Sequence, residues 1–339
     1  MSPPTLNFHK PGVLLLNNMA NINYNAADLE DTSGQARAAD ISVIVVTYNH
    51  EDFIAQAIES VLAQSTDRLL EVIISEDKST DRTRDIVQDY ARRDKRIRLM
   101  LSEQNIRSNE VVARALRSAA GRYVCILDGD DYWMANNKLE QQANFLDANP
   151  HYSAVFHNAL IDDTCPARRR WTRSDLPKVF TLNEIWEGNP FATCTGMLRR
   201  ACLEGLGSWY DALFPITDWS LYILCAEHGP IAFADEIVGA YRQHPSSEFS
   251  ALPSRKKMDR ISRFYHRMGK TGGTSRRTFA QEGCSRYFFE WATVYAGNGQ
   301  SRLAWDCLWR SVRGGGVGRS VSLVDVCRLA IRLAKGGLH

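Results

Sequence analysis

Between residues 41 and 148 the chain alternates short β-branched runs with amphipathic segments, and that alternation excludes most folds. ISVIVVTY (41–48), LEVIIS (70–75), IRLML (97–101) and RYVCIL (122–127) read as buried strands. A helix is expected over 51–64, with Ile54, Ile58, Val61 and Leu62 on one face at helical spacing. A second, capped by Ser79 or Thr80, carries Ile86, Val87 and Tyr90 on its apolar face. Further helices are expected over 109–120 and over 136–148, the latter with Leu139, Ala143 and Leu146 and a stop at Asn149-Pro150. Strand, helix, strand, helix predicts a mostly parallel sheet flanked by helices. Such sheets bind ligands at the carboxyl ends of their strands.

Those ends are polar. Thr47-Tyr48-Asn49 closes the first strand, Glu76-Asp77 the second, and Asp128-Gly129-Asp130-Asp131 the fourth. Parallel strands point their carboxyl ends the same way, so the three clusters predict one site. Like charges as close as those of LDGDDYW (127–133) repel, and a divalent cation is the simplest partner. Mg²⁺ and Mn²⁺ prefer carboxylate and phosphate oxygens, and Mg²⁺ takes one or two carboxylates plus substrate phosphates. Gly129 lets the turn close tightly and a ligand approach the backbone. The bland alternative is a solvated acidic turn leading into the helix at 136–148. Asp77 can accept a hydrogen bond from a ring N–H of a base, or it can be a helix-start acid favoured by the dipole. Neither GxGxxG nor GxxxxGK[ST] occurs, so any phosphates must be held by metal and side chains.

The remaining bounds are broad. At 339 residues the chain suffices for one large domain or two modest ones, and a formal net charge of +2 implies no general affinity for nucleic acid. Its 8 cysteines show no CxxC pair or metal-type spacing and read as reduced thiols of a cytoplasmic protein. No apolar stretch reaches the roughly 20 residues of a membrane span. VLLL at 13–16 lacks the flanks of a signal peptide, and 1–38 reads as a poorly ordered extension.

After residue 150 the pattern is mixed: a strand at 152–158, a basic loop with Arg168, Arg169 and Arg170, and a strand near 193–198. Beyond about 254 the chain reads as helical, with a hairpin turning at Gly297-Asn298-Gly299 and spacing at Ala292, Tyr295, Ala304 and Leu308 like one tetratricopeptide unit. GGGVG (314–318) reads as a flexible break. The last helix places Leu323, Cys327, Ala330 and Ala334 on one face and Asp325, Arg328, Arg332 and Lys335 opposite. Packing of that apolar face on its own domain is the expectation; contact with an anionic membrane surface is the alternative.

In this order and spacing the motifs resemble the family-2 inverting glycosyltransferases of GT-A fold, over roughly 41–250. The resemblance implies an α/β, GT-A (Rossmann-like) domain over 39–250 and a C-terminal helical region over 251–339. It implies that Thr47, Tyr48 and Asn49 line a nucleoside with Glu51 just behind them, that Asp77 binds its base, and that Asp128, Gly129 and Asp130 face ribose and diphosphate. Asp130 or Asp131 would ligate Mn²⁺ or Mg²⁺; which of them does so directly stays open. In PITDWSLYILCAEHG (215–229), Asp218 takes the place of the general base, with Thr217 where a first acid usually stands. AYRQHPSS (240–247) resembles a YRxH segment, in which Arg242 offsets diphosphate charge and His244 contacts the metal. VVARALRSAAG (111–121) lacks the family's Arg-Asn pair, leaving Arg114 or Arg107 as substitutes.

The implied reaction moves a sugar from a nucleotide diphosphate, a UDP-sugar by preference, to a hydroxyl of a glycan or lipid-linked acceptor in cell-surface polysaccharide or glycoconjugate synthesis. Its place would be the cytoplasm, at the inner face of the membrane when the acceptor is lipid-linked. The rivals are a sugar-nucleotide-binding module without turnover and a nucleotidyltransferase on a related sheet. The latter wants a glycine-rich basic loop after the first strand, and TYNHEDF (47–53) has none. An aspartyl-phosphate phosphatase would carry its DxD after the first strand, not the fourth.

Overall fold

A computed structural model describes residues 29–31, 39–162, 169–173, 175–249 and 251–336. The first half runs β1 (Leu29–Asp31), β2 (Ile41–Thr47), α1 (Ile54–Leu62), β3 (Leu70–Glu76), α2 (Thr83–Arg93), β4 (Ile97–Ser102), α3 (Glu110–Ser118), β5 (Tyr123–Asp128), β6 (Tyr132–Trp133) and α4 (Lys138–Ala148). The second half adds β7 (Ala154–Asp162), β8 (Arg169–Arg170), β9 (Val179–Phe180), α5 (Leu182–Glu187), β10 (Met197–Arg199), α6 (Asp218–His228) and β11 (Ile231–Arg242). Helices α7 (Ser254–Met268), α8 (Thr274–Gly297), α9 (Ser301–Arg313) and α10 (Leu323–Gly336) complete it.

The strands form one sheet in the order β1-β4-β3-β2-β5-β10-β7-β11-β6, with β8 on β7 and β9 on β11. β4, β3, β2 and β5 are parallel, β10 runs antiparallel between β5 and β7, and β7 and β11 are parallel again. The expected mostly parallel sheet flanked by helices is therefore present. β2 is apolar from Val43 to Val46 because both its faces are covered, and its buried Ser42 donates to Glu71 Oε1. Ile41, Val43 and Val45 join the core under α1, while Ile44 joins the core on the α3 side.

The register fixes the site. Thr47 lies opposite Glu76, and Val46 lies opposite Asp128. Asp77 N donates to Thr47 O at 3.1 Å and Gly129 N to Val46 O at 2.8 Å, so both acidic turns leave the sheet beside the tip of β2.

Several expectations change in detail. Residues 1–28 and 32–38 of the N-terminal extension lie outside the described residues, but Leu29–Asp31 pairs antiparallel with β4. Arg168 also lies outside them; Arg169 and Arg170 form β8, and Arg170 Nη1 pairs with Asp235 Oδ1 at 2.7 Å. The strand near 193–198 divides into a 3₁₀ turn, Thr193–Thr195, and the short β10. The seven described cysteines are free, and six of them are buried.

The helical hairpin turns where expected, with Gly299 at φ +72° between α8 and α9. Ala292, Ala304 and Leu308 are buried in its core. GGGVG is not a flexible break: Gly316 N donates to the buried Ser285 Oγ at 2.8 Å and Gly318 N to Val321 O at 2.8 Å, which ties the turn to α8. α10 does pack on its own chain, but through Val326, Leu329 and Leu333, while Leu323 and Cys327 are exposed. Two apolar stripes run along this helix, and its neighbours α8 and α9 bury the other one. No helix among the described residues is long and apolar enough to cross a membrane.

α8 also meets α5 closely. A Cβ on Gly283 would lie 2.2 Å from Trp186 O and 3.1 Å from Tyr265 Cε1. Alanine gains about 1 kcal/mol of helix propensity over glycine, but overpacking of this kind costs about 1–3 kcal/mol, and backbone cannot swing aside as a side-chain tip can. Gly283→Ala should therefore lower the urea midpoint despite being the better helix former; a raised midpoint would show that α8 can shift freely.

Candidate active site

A cavity of about 500 Å³ opens at the carboxyl ends of β2, β3 and β5. Thr47, Tyr48, Asp77, Asp128 and Asp130 line it, so five of the residues expected from the sequence converge there. His50 joins them from the loop after β2, Asn105 and Arg107 from the loop after β4, and Phe214, Pro215 and Thr217 from the segment just before α6. Ser246 to Phe249 and Arg260 close the remaining wall.

The loop after β2 is held from outside. Asn49, at φ +55°, turns its side chain away, and its Oδ1 accepts from Thr80 N at 2.8 Å. Glu51 Oε2 accepts from Arg82 N at 3.0 Å, and Asp81 Oδ2 accepts from Glu51 N at 3.1 Å. Asn49 and Glu51 thus clamp 48–53 to 79–82 and do not line the cavity. Asp77 does line it, yet its carboxylate already accepts from Ile106 N at 2.9 Å, Ser102 Oγ at 3.1 Å and Arg107 N at 3.2 Å. A carboxylate offers about four acceptor positions, so roughly one remains for a ligand. Of the two arginines considered for the missing pair, Arg107 lines the cavity. Arg114 is buried beneath it, donating to Ser75 Oγ and Ser102 Oγ at 2.8 Å each and to Glu76 O and Met100 O at 3.1 Å each.

The Asp-Gly-Asp-Asp turn separates its acids by environment. Gly129 sits where a Cβ would come within 2.7 Å of Thr47 Oγ1 and 2.9 Å of His50 Nδ1, so only glycine fits. Burial, together with the charges of Asp130 and Asp218, pushes the Asp128 carboxyl up to about 8. Asp130 is also buried, but the hydrogen bond from His244 outweighs that and holds it below the ordinary range, with His50 adding to the effect only when protonated, which its own burial opposes. Its Oδ2 lies 2.9 Å from His244 Nε2 and 3.8 Å from His50 Nε2. Asp131 points inward at 1% exposure, and burial raises its pKa well above the usual value. Its Oδ1 accepts from Arg242 N at 2.9 Å while Oδ2 is buried without a hydrogen-bond partner.

Arg242 is the brace of this turn. Nη1 donates to Asp130 O at 2.6 Å, and the guanidinium stacks over Tyr132 at 4.4 Å and Phe53 at 5.1 Å. Neither Arg242 nor His244 lines the cavity; both act on it through the aspartates. Tyr132 and Trp133 pair with β11, and the buried Trp133 Nε1 donates to Cys194 O at 2.7 Å. Those two aromatics thus fasten the acidic turn to the second half of the sheet.

Asp218 opens α6. Oδ2 accepts from Asn189 Nδ2 at 2.8 Å and Thr193 Oγ1 at 3.2 Å, and Oδ1 from Trp219 N at 2.7 Å. Burial raises its pKa, with these hydrogen bonds opposing. It is close enough to Asp128 for its charge to raise that group too. A carboxylate held in orientation and made more basic has the properties of a general base.

Divalent-ion chemistry is compatible with the donor set. Asp128 and Asp130 both face the cavity, and burial with mutual repulsion keeps one of them protonated, which a cation would relieve. Among the described residues no group of three His, Cys, Asp or Glu forms a metal cage. The carboxylate pair therefore suits an ion completed by substrate oxygens.

Residues 42–207 match the family model for glycosyl transferase family 2. That segment, about half of the chain, is a domain of that family. Among its relatives is EpsJ of Bacillus subtilis, an uncharacterized glycosyltransferase, 38% identical over 235 residues covering 65% of each chain. The chain spans 62–63% of the length of the first curated relatives it matches. In fold it is similar to TarS 1–349 of S. aureus, solved with UDP-GlcNAc, at TM-score 0.61 and 19% identity over 88% of both chains. It is also similar to the mannosyltransferase PcManGT of Pyrobaculum calidifontis, solved with GDP-Man and Mn²⁺, at TM-score 0.51 and 18% identity over 88% of this chain and 81% of that one. His50, Asn105 and Arg260 in the cavity lining, and Asn189 and Thr193 around Asp218, are among the site residues that sequence reasoning missed. His50 directly follows the Thr47-Tyr48-Asn49 cluster, a signal that could have been used; Arg260 has no local signal.

The shifted Asp128 makes stability depend on pH. Its carboxyl keeps a proton in the folded chain that the unfolded chain gives up near 3.8. Between about pH 4 and 8 the folded state binds more protons, so this group lowers stability as pH rises. In chelator, Asp128→Asn should stabilise the protein more at pH 8 than at pH 5 in urea melts. Equal gains at both values would mean that the carboxyl is not strained.

Proposed function

We propose that this chain transfers a sugar from a nucleotide diphosphate sugar, UDP-linked in our reading, to a hydroxyl of a glycan or lipid-linked acceptor with inversion at the anomeric carbon. The observation that carries this reading is the placement of Asp218, braced and made more basic, directly behind the cavity-lining Thr217 and near enough to Asp128 for its charge to act there, while Asp128 and Asp130 themselves line the cleft at the strand tips. The nucleoside would lie along Tyr48, Asp77, Asn105 and Arg107, and the diphosphate beside Asp128 and Asp130. The nucleotide sugars held by the two structural relatives support the donor class.

Asp128 and Asp130 would hold a Mn²⁺ or Mg²⁺ ion, which when bound neutralises charge on the departing diphosphate. Asp131 would stay buried as the anchor of the Arg242 backbone, and His244 would keep Asp130 ionised rather than ligate the metal. Asp218 would take the proton of the acceptor hydroxyl as that oxygen attacks from the side opposite the diphosphate. Asn189 and Thr193 fix its oxygens for the transfer, and its raised pKa increases its pull on the proton. One displacement with no enzyme-linked sugar inverts the centre. We assign the chemistry to residues 39–250, with 251–339 as a helical region docked on it. The free cysteines accord with a cytoplasmic setting.

A panel of nucleotide sugars with Mn²⁺, scored by release of the nucleotide diphosphate, tests the reading. Asp218→Asn should lower transfer by about 10²–10⁴-fold, the usual contribution of a general base, while nucleotide diphosphate binding in calorimetry survives. Substantial transfer by that variant would exclude Asp218 as the base.

A further inference from the structure

The acceptor wall of the cleft carries more positive charge than the donor chemistry uses. Helix α7, SRKKMDRISRFYHRM, has six Lys or Arg residues against the single Asp259, in a chain whose formal net charge is only +2. Asp259 is already engaged: its Oδ1 accepts from Arg310 Nη2 at 2.7 Å. Met258, Ile261, Phe264, Tyr265 and Met268 form the buried face. Lys256, Arg260, Arg263 and Arg267, spaced by four, three and four, form one stripe away from it.

Arg260 ties this stripe to the cleft. It lines the same cavity as Asp128 and Thr217, and its Nη1 is buried without a hydrogen-bond partner. A buried guanidinium nitrogen left unpaired is costly, and a missing ligand is one of the few explanations for it. The other three are exposed, and none of the four forms an ion pair among the described residues. α7 also packs against the turn at Ser208–Leu213, which leads through Phe214 and Thr217 directly to Asp218. The stripe thus passes the place where the acceptor hydroxyl must arrive, at Arg260, and spans about 16 Å of the helix, one turn to Lys256 on one side and about two turns to Arg267 on the other. A donor carries its charge in one diphosphate, whereas charges one helical turn apart suit a chain with repeated acids.

Resting on the transferase reading above, we propose that Lys256, Arg260, Arg263 and Arg267 seat the acceptor, and that this acceptor is a glycan or polyol chain bearing repeated anionic groups. Arg260 holds the acid nearest the reacting hydroxyl. The three exposed cations hold acids on either side of it, Lys256 in one direction and Arg263 and Arg267 in the other.

Binding of four probes to the full chain tests this: oligogalacturonate for carboxylates, polyglycerol phosphate of similar length for phosphodiesters, neutral dextran oligomers, and vesicles containing anionic lipid. We expect one anionic oligomer to bind with an affinity that falls as salt rises, and its identity names the acid. Replacing Arg263 or Arg267 by Gln should weaken that binding about tenfold each, the loss of one charge-assisted hydrogen bond. Arg260→Lys, which keeps the charge, should weaken it less than Arg260→Gln. Equal binding of dextran, binding to vesicles alone, binding of no probe, or no change in the variants overturns the proposal. Nucleotide diphosphate affinity, measured on the same preparations, separates the two readings. Its absence from the unmodified protein would sink the transferase reading, whereas its presence alongside unaffected oligomer binding in the variants would sink this one alone.

Discussion

The crowding of carboxylates at the tip of β5 is the constraint around which the rest of this molecule is arranged. Asp128, Asp130 and Asp131 cannot all be ionised in a space this dry, and each is dealt with by a different neighbour. Asp130 keeps its charge chiefly because His244 Nε2 is hydrogen-bonded to it. Asp131 is turned inward and joined to the backbone of Arg242, while Asp128 is left to hold a proton until something positive arrives. The second half of the sheet exists in part to supply these neighbours, since His244 and Arg242 arrive at the end of β11 and the β6–β11 pairing holds the turn against them.

From this follows a division of labour between residues that touch a ligand and residues that aim them. Arg242, Asn49 and Glu51 belong to the second group, and their substitution would disturb the cleft without removing a contact from it. Arg114 does the same work below the floor, joining β3 to β4 through four hydrogen bonds. A binding site at strand ends needs such bracing because loops otherwise lack the packing that fixes strands in place.

The sheet and the convergence of its tips were legible in the sequence because β-branched runs with polar ends leave few alternatives. Local pattern also located Asp128, Asp130 and Asp77. What it could not give was direction. Asn49 lies outside the cavity because its left-handed backbone turns the side chain away, and Asp131 points inward because β11 offers it a backbone donor from 111 residues later in the chain. The face of α10 was misjudged for a related reason: with Leu323 and Ile331 on one side and Val326, Leu329 and Leu333 on another, only the neighbours decide. Arg260 was invisible because nothing nearby in sequence says that α7 reaches the cleft.

The short strand β1 has a bearing on how this protein can be handled. It covers the outer side of β4, pairing Leu29 with Ser102 and Asp31 with Met100. A version trimmed to start at residue 39 would keep every group in the cleft, yet it would leave β4 as a naked sheet margin rich in leucine, open to pairing with another molecule. Leu29–Asp31 therefore shields a sheet edge that lies apart from the cleft, and its loss would expose that edge without removing a residue from the cavity lining.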